Sequence, residues 1–160
     1  MFEPPAKLLQ LHRNSLMNVL VVGGEAVTRA EVAEAFHRES PLHAGPLVVI
    51  DAVRDAGPLL TALRSWTSGA VATIPVTLAA AERGTLFIDS IEHLEPEAQR
   101  RLRELIDHGD ESTHARPGRF IAGCAEDPVA RVPFGAYSAA LYDALDKVRI
   151  ELPSHARGAA

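Results

Sequence analysis

The chain has 160 residues, of which 47% are hydrophobic and 23% are charged, and this composition predicts one globular domain with a proper core. Its formal net charge of -5 and sequence pI near 5.8 argue against a nucleic-acid binder that works through a basic face. One cysteine excludes an internal disulfide, and without a signal peptide or an apolar run of ~20 residues the chain is expected to be soluble, cytoplasmic and free of membrane contact.

The first predicted elements are a strand, a glycine turn and a helix. Residues 1–17 form a lead-in segment, and Asn18–Val22 (NVLVV) is an apolar run of the kind found in strands covered on both faces. Gly23 and Gly24 break this run, and from Thr28 the apolar residues follow helical spacing. Strand, glycine turn and helix start are the parts of a phosphate-binding loop.

The rest of the chain alternates apolar strands with helices up to residue 153, and residues 154–160 form a tail. Four further strands are predicted, at Leu47–Ile50, Thr85–Ile88, Phe120–Cys124 and Val148–Leu152. Helices are predicted over LLTALRSW, from Pro96 to a stop at Gly109, and over Ser138–Leu145, whereas SGAVATIPV fits either a short strand or an irregular loop. This alternation predicts a parallel α/β sheet with helices on both faces.

Five blocks of the sequence resemble one known family in their order and spacing. They are VLVVGGEAVTRAEVAEAFHRESP, GPLVVID, ERGTLFIDSIEHLEPEAQRRLRELIDHG, RFIAGCAEDP and ALYDALDKVRIELP. The region from Val19 to Pro153 resembles the AAA+ domain of bacterial enhancer-binding proteins, the sigma-54-dependent transcription activators. The resemblance implies a three-layer P-loop/AAA+-like large subdomain with a five-stranded parallel sheet, its first strand central. Because the given sequence stops just after RIELP, we expect no helical lid subdomain in it. In active members this core binds ATP between the subunits of a ring and remodels RNA polymerase holoenzyme.

The phosphate loop departs from the G-x-x-x-x-G-K-S/T pattern that such nucleotide binding needs. Gly23 matches the first glycine, but Thr28 stands at the second, Arg29 at the lysine and Ala30 at the hydroxyl residue. A guanidinium is not equivalent to a compact ammonium in a tight phosphate nest. A second interpretation, which we favour, is that Thr28 and Glu31 form a capping box that simply begins a helix. Gly23, Gly24 and Arg29 are therefore vestigial nucleotide-binding candidates.

The other functional positions of the family are also changed. Asp89 keeps the acidic residue after the third strand, either to hold a cation or, as we favour, to cap the next turn, but Ser90 replaces the glutamate that acts as general base. Ala125 stands at the polar sensor, and Ser138 and Ala144 stand at the two trans-acting arginines. No GAFTGA-like loop lies between Ile50 and Glu82.

These changes predict a non-catalytic pseudo-ATPase that needs no cofactor. We expect it to act through protein partners, as a homo- or hetero-oligomer using an AAA+-type surface, in a regulatory or assembly role linked to transcription. Its contact surface would be either the subunit surface inherited from AAA+ domains or the segment 64–75. In that segment the candidate contact residues are Arg64, Trp66 and Ile74, although Trp66 also fits a core position.

Two alternatives remain open at the sequence level. The first is a residual nucleotide-binding protein or weak ATPase that uses ATP and magnesium, and the second is a DNA-associated transcription factor. The acidic balance and the lack of a helix-turn-helix in this sequence argue against direct DNA binding. The seven histidines show no metal-binding spacing, and Cys124 is expected to be a buried, unreactive residue.

Overall fold

The computed structural model describes residues 16–68, 74–108 and 115–153. Its five parallel strands form one sheet in the order β2-β3-β4-β1-β5. They are β1 (Val19–Val22), β2 (Leu47–Asp51), β3 (Thr85–Asp89), β4 (Arg119–Cys124) and β5 (Val148–Glu151). The predicted five-stranded parallel sheet is confirmed, with each strand within a residue of its predicted bounds. The first strand lies inside the sheet between β4 and β5, while β4 takes the central position.

Five α-helices connect the strands in the described ranges. They are α1 (Ala26–Arg38), α2 (Ala56–Ser68), α3 (Val76–Ala79), α4 (Pro96–His108) and α5 (Ala139–Leu145). Short 3₁₀ helices lie at Ala80–Arg83, Ile91–His93 and Pro128–Phe134. Proline begins α4 as predicted, since its missing N–H is unpaired at that position of any helix. The predicted stop at Gly109 and most of the ambiguous SGAVATIPV lie outside the described residues.

The helix after the glycine turn begins earlier than predicted. Its N-cap residue is Glu25, whose side chain makes no capping hydrogen bond, and Thr28 already lies inside α1. Gly23 and Gly24 have positive φ values of 90° and 64°, which glycine adopts at low cost. The chain therefore reverses within three residues and the helix starts at once. The prediction that Thr28 and Glu31 form a capping box is wrong, because the helix begins before Thr28.

The two faces of the sheet carry separate hydrophobic cores because alternate residues of each strand point to opposite faces. Val19 and Val21 pack under α1 together with Phe36. Leu20 belongs to the larger core on the other face, which α2, α4 and α5 cover. This arrangement is the predicted three-layer architecture.

None of the helices that the structure describes has the length and apolar character that a membrane span requires.

Candidate functional site

The glycine turn lies at the carboxyl edge of the sheet, between β1 and α1. The Gly23 N–H donates to the carbonyl of Cys124 at 2.8 Å, and the Leu152 N–H donates to the carbonyl of Val22 at 2.8 Å. Leu152 also packs so closely on the turn that a Cβ on Gly24 would lie 2.8 Å from its Cδ1 atom. The turn is thus fixed in place by both neighbouring strands.

Arg29 fills the space inside this turn with its own guanidinium group. Its Nε donates to Asp89 Oδ1 at 2.7 Å and its Nη2 to Asp89 Oδ2 at 3.1 Å. The two side chains are only 6% and 8% exposed. The ion pair is bidentate and buried, the geometry in which arginine and carboxylate bind each other most strongly. Two of the vestigial candidates, Arg29 and Asp89, are therefore bound to each other.

The remaining donors of Arg29 bind the glycine turn itself. Its Nη1 donates to the carbonyl oxygens of Gly23 at 3.0 Å and of Gly24 at 2.9 Å. A phosphate nest needs backbone N–H groups that point at the anion. Here the carbonyls of Gly23 and Gly24 accept from a cation, which is the reverse of that arrangement at these two residues. The structure brings all four vestigial candidates together, in an arrangement that suits a guanidinium.

The backbone of the same segment is also committed to the helix. The Arg29 N–H donates to the carbonyl of Glu25 at 3.0 Å in the first turn of α1. We call the space enclosed by Gly23, Gly24 and Asp89 the cradle. The Arg29 guanidinium occupies it and binds the two turn carbonyls and the Asp89 carboxylate.

Asp89 depends on a glycine in the neighbouring strand. A Cβ on Gly123 would lie 2.5 Å from Asp89 Oδ1 and 2.8 Å from the Phe87 Cζ atom. The absence of a side chain at this position in β4 therefore leaves room for the carboxylate. The interpretation of Asp89 as a cap for the following turn is wrong, because both of its oxygens accept from Arg29.

Ser90, at the general-base position, is held away from the cradle. It adopts a left-handed backbone conformation with φ of 57°, and its hydroxyl donates to Asp51 Oδ2 at 2.8 Å. Burial alone would raise the pKa of Asp51, but hydrogen bonds from the Arg54 N–H, the Ser90 hydroxyl and the Val53 N–H outweigh it and lower that pKa. Ser90 thus serves as a hydrogen-bond donor to a stable carboxylate.

A buried carboxylate that the sequence analysis missed occupies the sensor region. Glu92 is 4% exposed, and its Oε2 accepts from the N–H groups of Ala125 at 3.1 Å and Glu126 at 3.2 Å. Its backbone carbonyl accepts from Arg131 Nη1 at 3.0 Å. Glu92 therefore ties the turn after β3 to the segment after β4. The signal in the sequence was one acidic residue between the apolar Ile91 and Leu94, both of which are buried.

The two positions that the resemblance aligns with the family's trans-acting arginines have structural roles in this domain. Ser138 caps α5, because its hydroxyl accepts from the Leu141 N–H at 3.1 Å. Its own N–H donates to Gln99 Oε1 at 2.8 Å. Ala144 is buried, with 8% exposure. Cys124 is fully buried and, as expected, unsuited to chemistry, since burial raises the pKa of its thiol to about 12.

The candidate contact residues of the segment 64–75 lie in different environments. Trp66 is 1% exposed and its Nε1 donates to Glu82 Oε2 at 3.0 Å, so it belongs to the core and is wrong as an exposed anchor. Ile74 is half-buried against the same core. Arg64 is bound to Glu97 through two hydrogen bonds of 2.8 and 2.6 Å. Residues 69–73 lie outside the described part of the chain.

Among the residues that the structure describes, no group of three or more His, Cys, Asp or Glu side chains could hold a metal ion.

Comparison with known proteins identifies the family. The model of the sigma-54 interaction domain matches residues 3–151 and so includes most of the lead-in segment. Two transcription regulators of anaerobic nitric oxide reductase, both named NorR, are similar: the Aeromonas hydrophila protein is 27% identical over 91% of the chain, and the Salmonella paratyphi C protein is 31% identical over 65%. The chain spans 31% and 22% of these relatives' lengths.

Solved structures show the same fold. NtrX from Brucella abortus, determined in complex with ATP, superposes on 92% of the chain with a TM-score of 0.73 at 17% identity, over 36% of its own length. The P-loop NTPase domain of an E. coli sigma-54 activator has a TM-score of 0.65 at 23% identity, over 92% of this chain and 98% of that one. The fold and the family match agree with the sequence resemblance, and the chain belongs to the sigma-54 interaction domain family of AAA+ domains.

Proposed function

We propose that this domain is a pseudo-ATPase that acts by protein–protein contact, in a regulatory or assembly role linked to transcription. One observation carries the proposal: the Arg29 guanidinium lies in the cradle and pairs with Asp89 there. The side chains at the nucleotide positions are satisfied by one another, so the domain keeps the shape of an ATPase without an open site.

The energetics of the ion pair oppose nucleotide binding. A nucleotide would have to displace Arg29, and separating one partner of a buried ion pair from the other costs about 3–5 kcal/mol. Since about 1.4 kcal/mol corresponds to a tenfold change in affinity, this cost alone weakens binding by a factor of about 10² to 10³ or more. The lost general base and arginine positions add a further penalty to hydrolysis, where single such groups are worth several orders of magnitude.

The proposed contact role is supported by a surface segment that is fixed by hydrogen bonds within the protein and does not need a nucleotide to order it. Glu92 fastens the segment after β4 through the N–H groups of Ala125 and Glu126, and the following 3₁₀ helix presents Phe134 with 85% exposure. Exposed aromatic residues contribute strongly to protein interfaces. A protein partner, either another copy of this chain or a related AAA+ subunit, would meet a surface that no nucleotide cycle remodels.

The proposal is tested by thermal unfolding with Mg-ATP and Mg-ADP. A ligand at ~100 times its dissociation constant adds about 2.7 kcal/mol of stability, so a millimolar nucleotide bound even at ten micromolar affinity would raise the Tm by several degrees. We expect no shift in the natural protein. A clear upward shift that Asp89→Asn abolishes would sink the proposal.

The second candidate function, a residual nucleotide binder, is favoured by the retained Gly23-Gly24 turn and the retained Asp89. The same thermal unfolding experiment separates the two functions, because a residual nucleotide binder should show a higher Tm with both Mg-ATP and Mg-ADP. For the contact role, sedimentation of the natural protein and of Phe134→Ser is the matched measurement. A strictly monomeric mass together with no partner in a cross-linking pull-down would count against it.

A further inference from the structure

A cavity of about 570 Å³ lies at the edge of the sheet opposite the cradle. It is walled by the segment before β1, the start of β4 and the ends of α4 and α5, among them Met17, Asn18 and Phe120. Small-molecule sites in proteins typically have volumes of about 300–1,000 Å³. The cavity has the size of a metabolite site and lies at the far end of the strands from Arg29 and Asp89.

The charged residues in the wall are mostly cationic. Among the described residues, the wall contains Arg119, Lys147, Arg116, which is engaged in a further interaction, and one carboxylate, Asp107. Asp107 Oδ2 already pairs with Arg103 Nε at 3.1 Å. The wall therefore carries a net positive charge in a protein whose overall charge is -5, and this local sign favours an anionic ligand.

Arg119 is the most unusual of these residues. It is 1% exposed, whereas arginine is almost never fully buried without a charged partner. Its Nε donates to the Met17 carbonyl at 3.0 Å, its Nη1 to the Phe36 carbonyl at 3.4 Å, and its guanidinium lies 5.9 Å from the centre of the Phe36 ring. None of these partners is a carboxylate, and within the described chain its Nη2 has no acceptor.

This environment disfavours the charged form of Arg119. Burial lowers the pKa of its guanidinium to about 10, because a charged group loses its hydration and gains no counter-ion there. A buried polar atom without a partner in a native fold requires an explanation, and a bound water or ion is one of those known. An anion in the cavity, whose wall includes Arg119, would supply the missing counter-charge.

We propose that this cavity binds a small organic anion, with its acidic group beside Arg119 and Lys147 and its apolar part against Met17 and Phe120. Carboxylates and phosphate monoesters share this chemistry, and both match the planar donors of arginine. The site is independent of the proposed function, since it lies at the other edge of the sheet and involves none of the nucleotide positions.

The test is an amide NMR titration at constant ionic strength with three probes: benzoate, its neutral analogue benzyl alcohol, and inorganic phosphate. We expect saturable shifts of the Asn18, Gly118 and Phe120 amides with benzoate or phosphate, and weaker or no shifts with benzyl alcohol. Preference for benzoate would identify a carboxylate ligand, and preference for phosphate a phosphorylated one. Saturable shifts confined to the Gly23-Gly24 turn, or equal binding of benzyl alcohol, would overturn the proposal.

Two variants and one control sharpen the result. Lys147→Met removes an exposed cation and should leave the fold intact, and Arg119→Met removes the buried one. Each should weaken anion binding at least tenfold, whereas Arg54→Met, which removes an exposed charge near the opposite edge, should leave it unchanged. Unchanged affinity in Lys147→Met would refute the proposal even if Arg119→Met does not fold.

Discussion

The Arg29–Asp89 pair makes a quantitative prediction about stability. In Arg29→Met the buried Asp89 carboxylate loses both of its donors, and in Asp89→Asn the buried guanidinium loses its counter-ion. Either change leaves an uncompensated charge and should cost about 3–5 kcal/mol. At about 2–4 °C per kcal/mol for a chain of this size, the Tm should fall by about 6–20 °C. Asparagine is the better replacement at position 89, because the space beside Gly123 is tight.

The double variant Arg29→Met/Asp89→Asn isolates the pair from other effects. It removes both charges, so its loss of unfolding free energy, measured by urea denaturation, should be smaller than the sum of the single losses by at least about 2 kcal/mol. The matched control is the exposed pair Arg38–Glu34, at 3.4 Å with both side chains over 60% exposed, which should couple by no more than about 0.5 kcal/mol. Equal coupling in the two cycles would refute the view that Arg29 is a built-in occupant of the cradle.

Three further predictions concern single positions. Gly123→Ala should destabilise the fold by about 1–3 kcal/mol in a denaturant titration, because its methyl group would overlap the Asp89 carboxylate; an unchanged midpoint would show that β4 leaves more room. Cys124 should resist iodoacetamide at pH 8 until urea unfolds the protein, since burial raises the pKa of its thiol to about 12; rapid native alkylation would disagree. The hydrogen bonds from Arg64 lower the pKa of Glu97 from 4.5 to about 2. The stabilisation of the fold by ionised Glu97 is therefore complete above pH 4.5 and disappears as the pH falls toward 2. The Tm gap between the natural protein and Glu97→Gln should close over that interval, and a gap that is constant with pH would contradict the pairing.

The sheet could be predicted from the sequence because its strands are nearly continuous apolar runs, which few other structures explain. LVVID and TLFID end at neighbouring positions of the sheet, where Asp51 pairs in register with Asp89. The start of the helix after the glycine turn was harder to predict. Thr28 and Glu31 fit a capping box by spacing alone, but the positive φ values of Gly23 and Gly24 let the helix start two residues earlier.

The contents of the cradle could not be read from the sequence. Arginine in place of lysine at position 29 indicated only a loss of function, because Arg29 and Asp89 are 60 positions apart and the sequence does not reveal their contact. Glu92 was missed for the same reason, because its acceptor role depends on a loop more than 30 residues away. Trp66 fitted both an interface and the core, and its hydrogen bond to Glu82 with 1% exposure decides for the core.

In the proposed pseudo-ATPase, the Arg29 side chain occupies the place of a nucleotide. The most direct measurement is a crystal structure of the natural protein grown with millimolar Mg-ATP. We expect electron density for the Arg29 side chain in contact with Asp89 and with the Gly23 and Gly24 carbonyls, and no phosphate density in the turn. Density for a triphosphate against the Gly23-Gly24 turn, with Arg29 displaced from Asp89, would contradict this expectation.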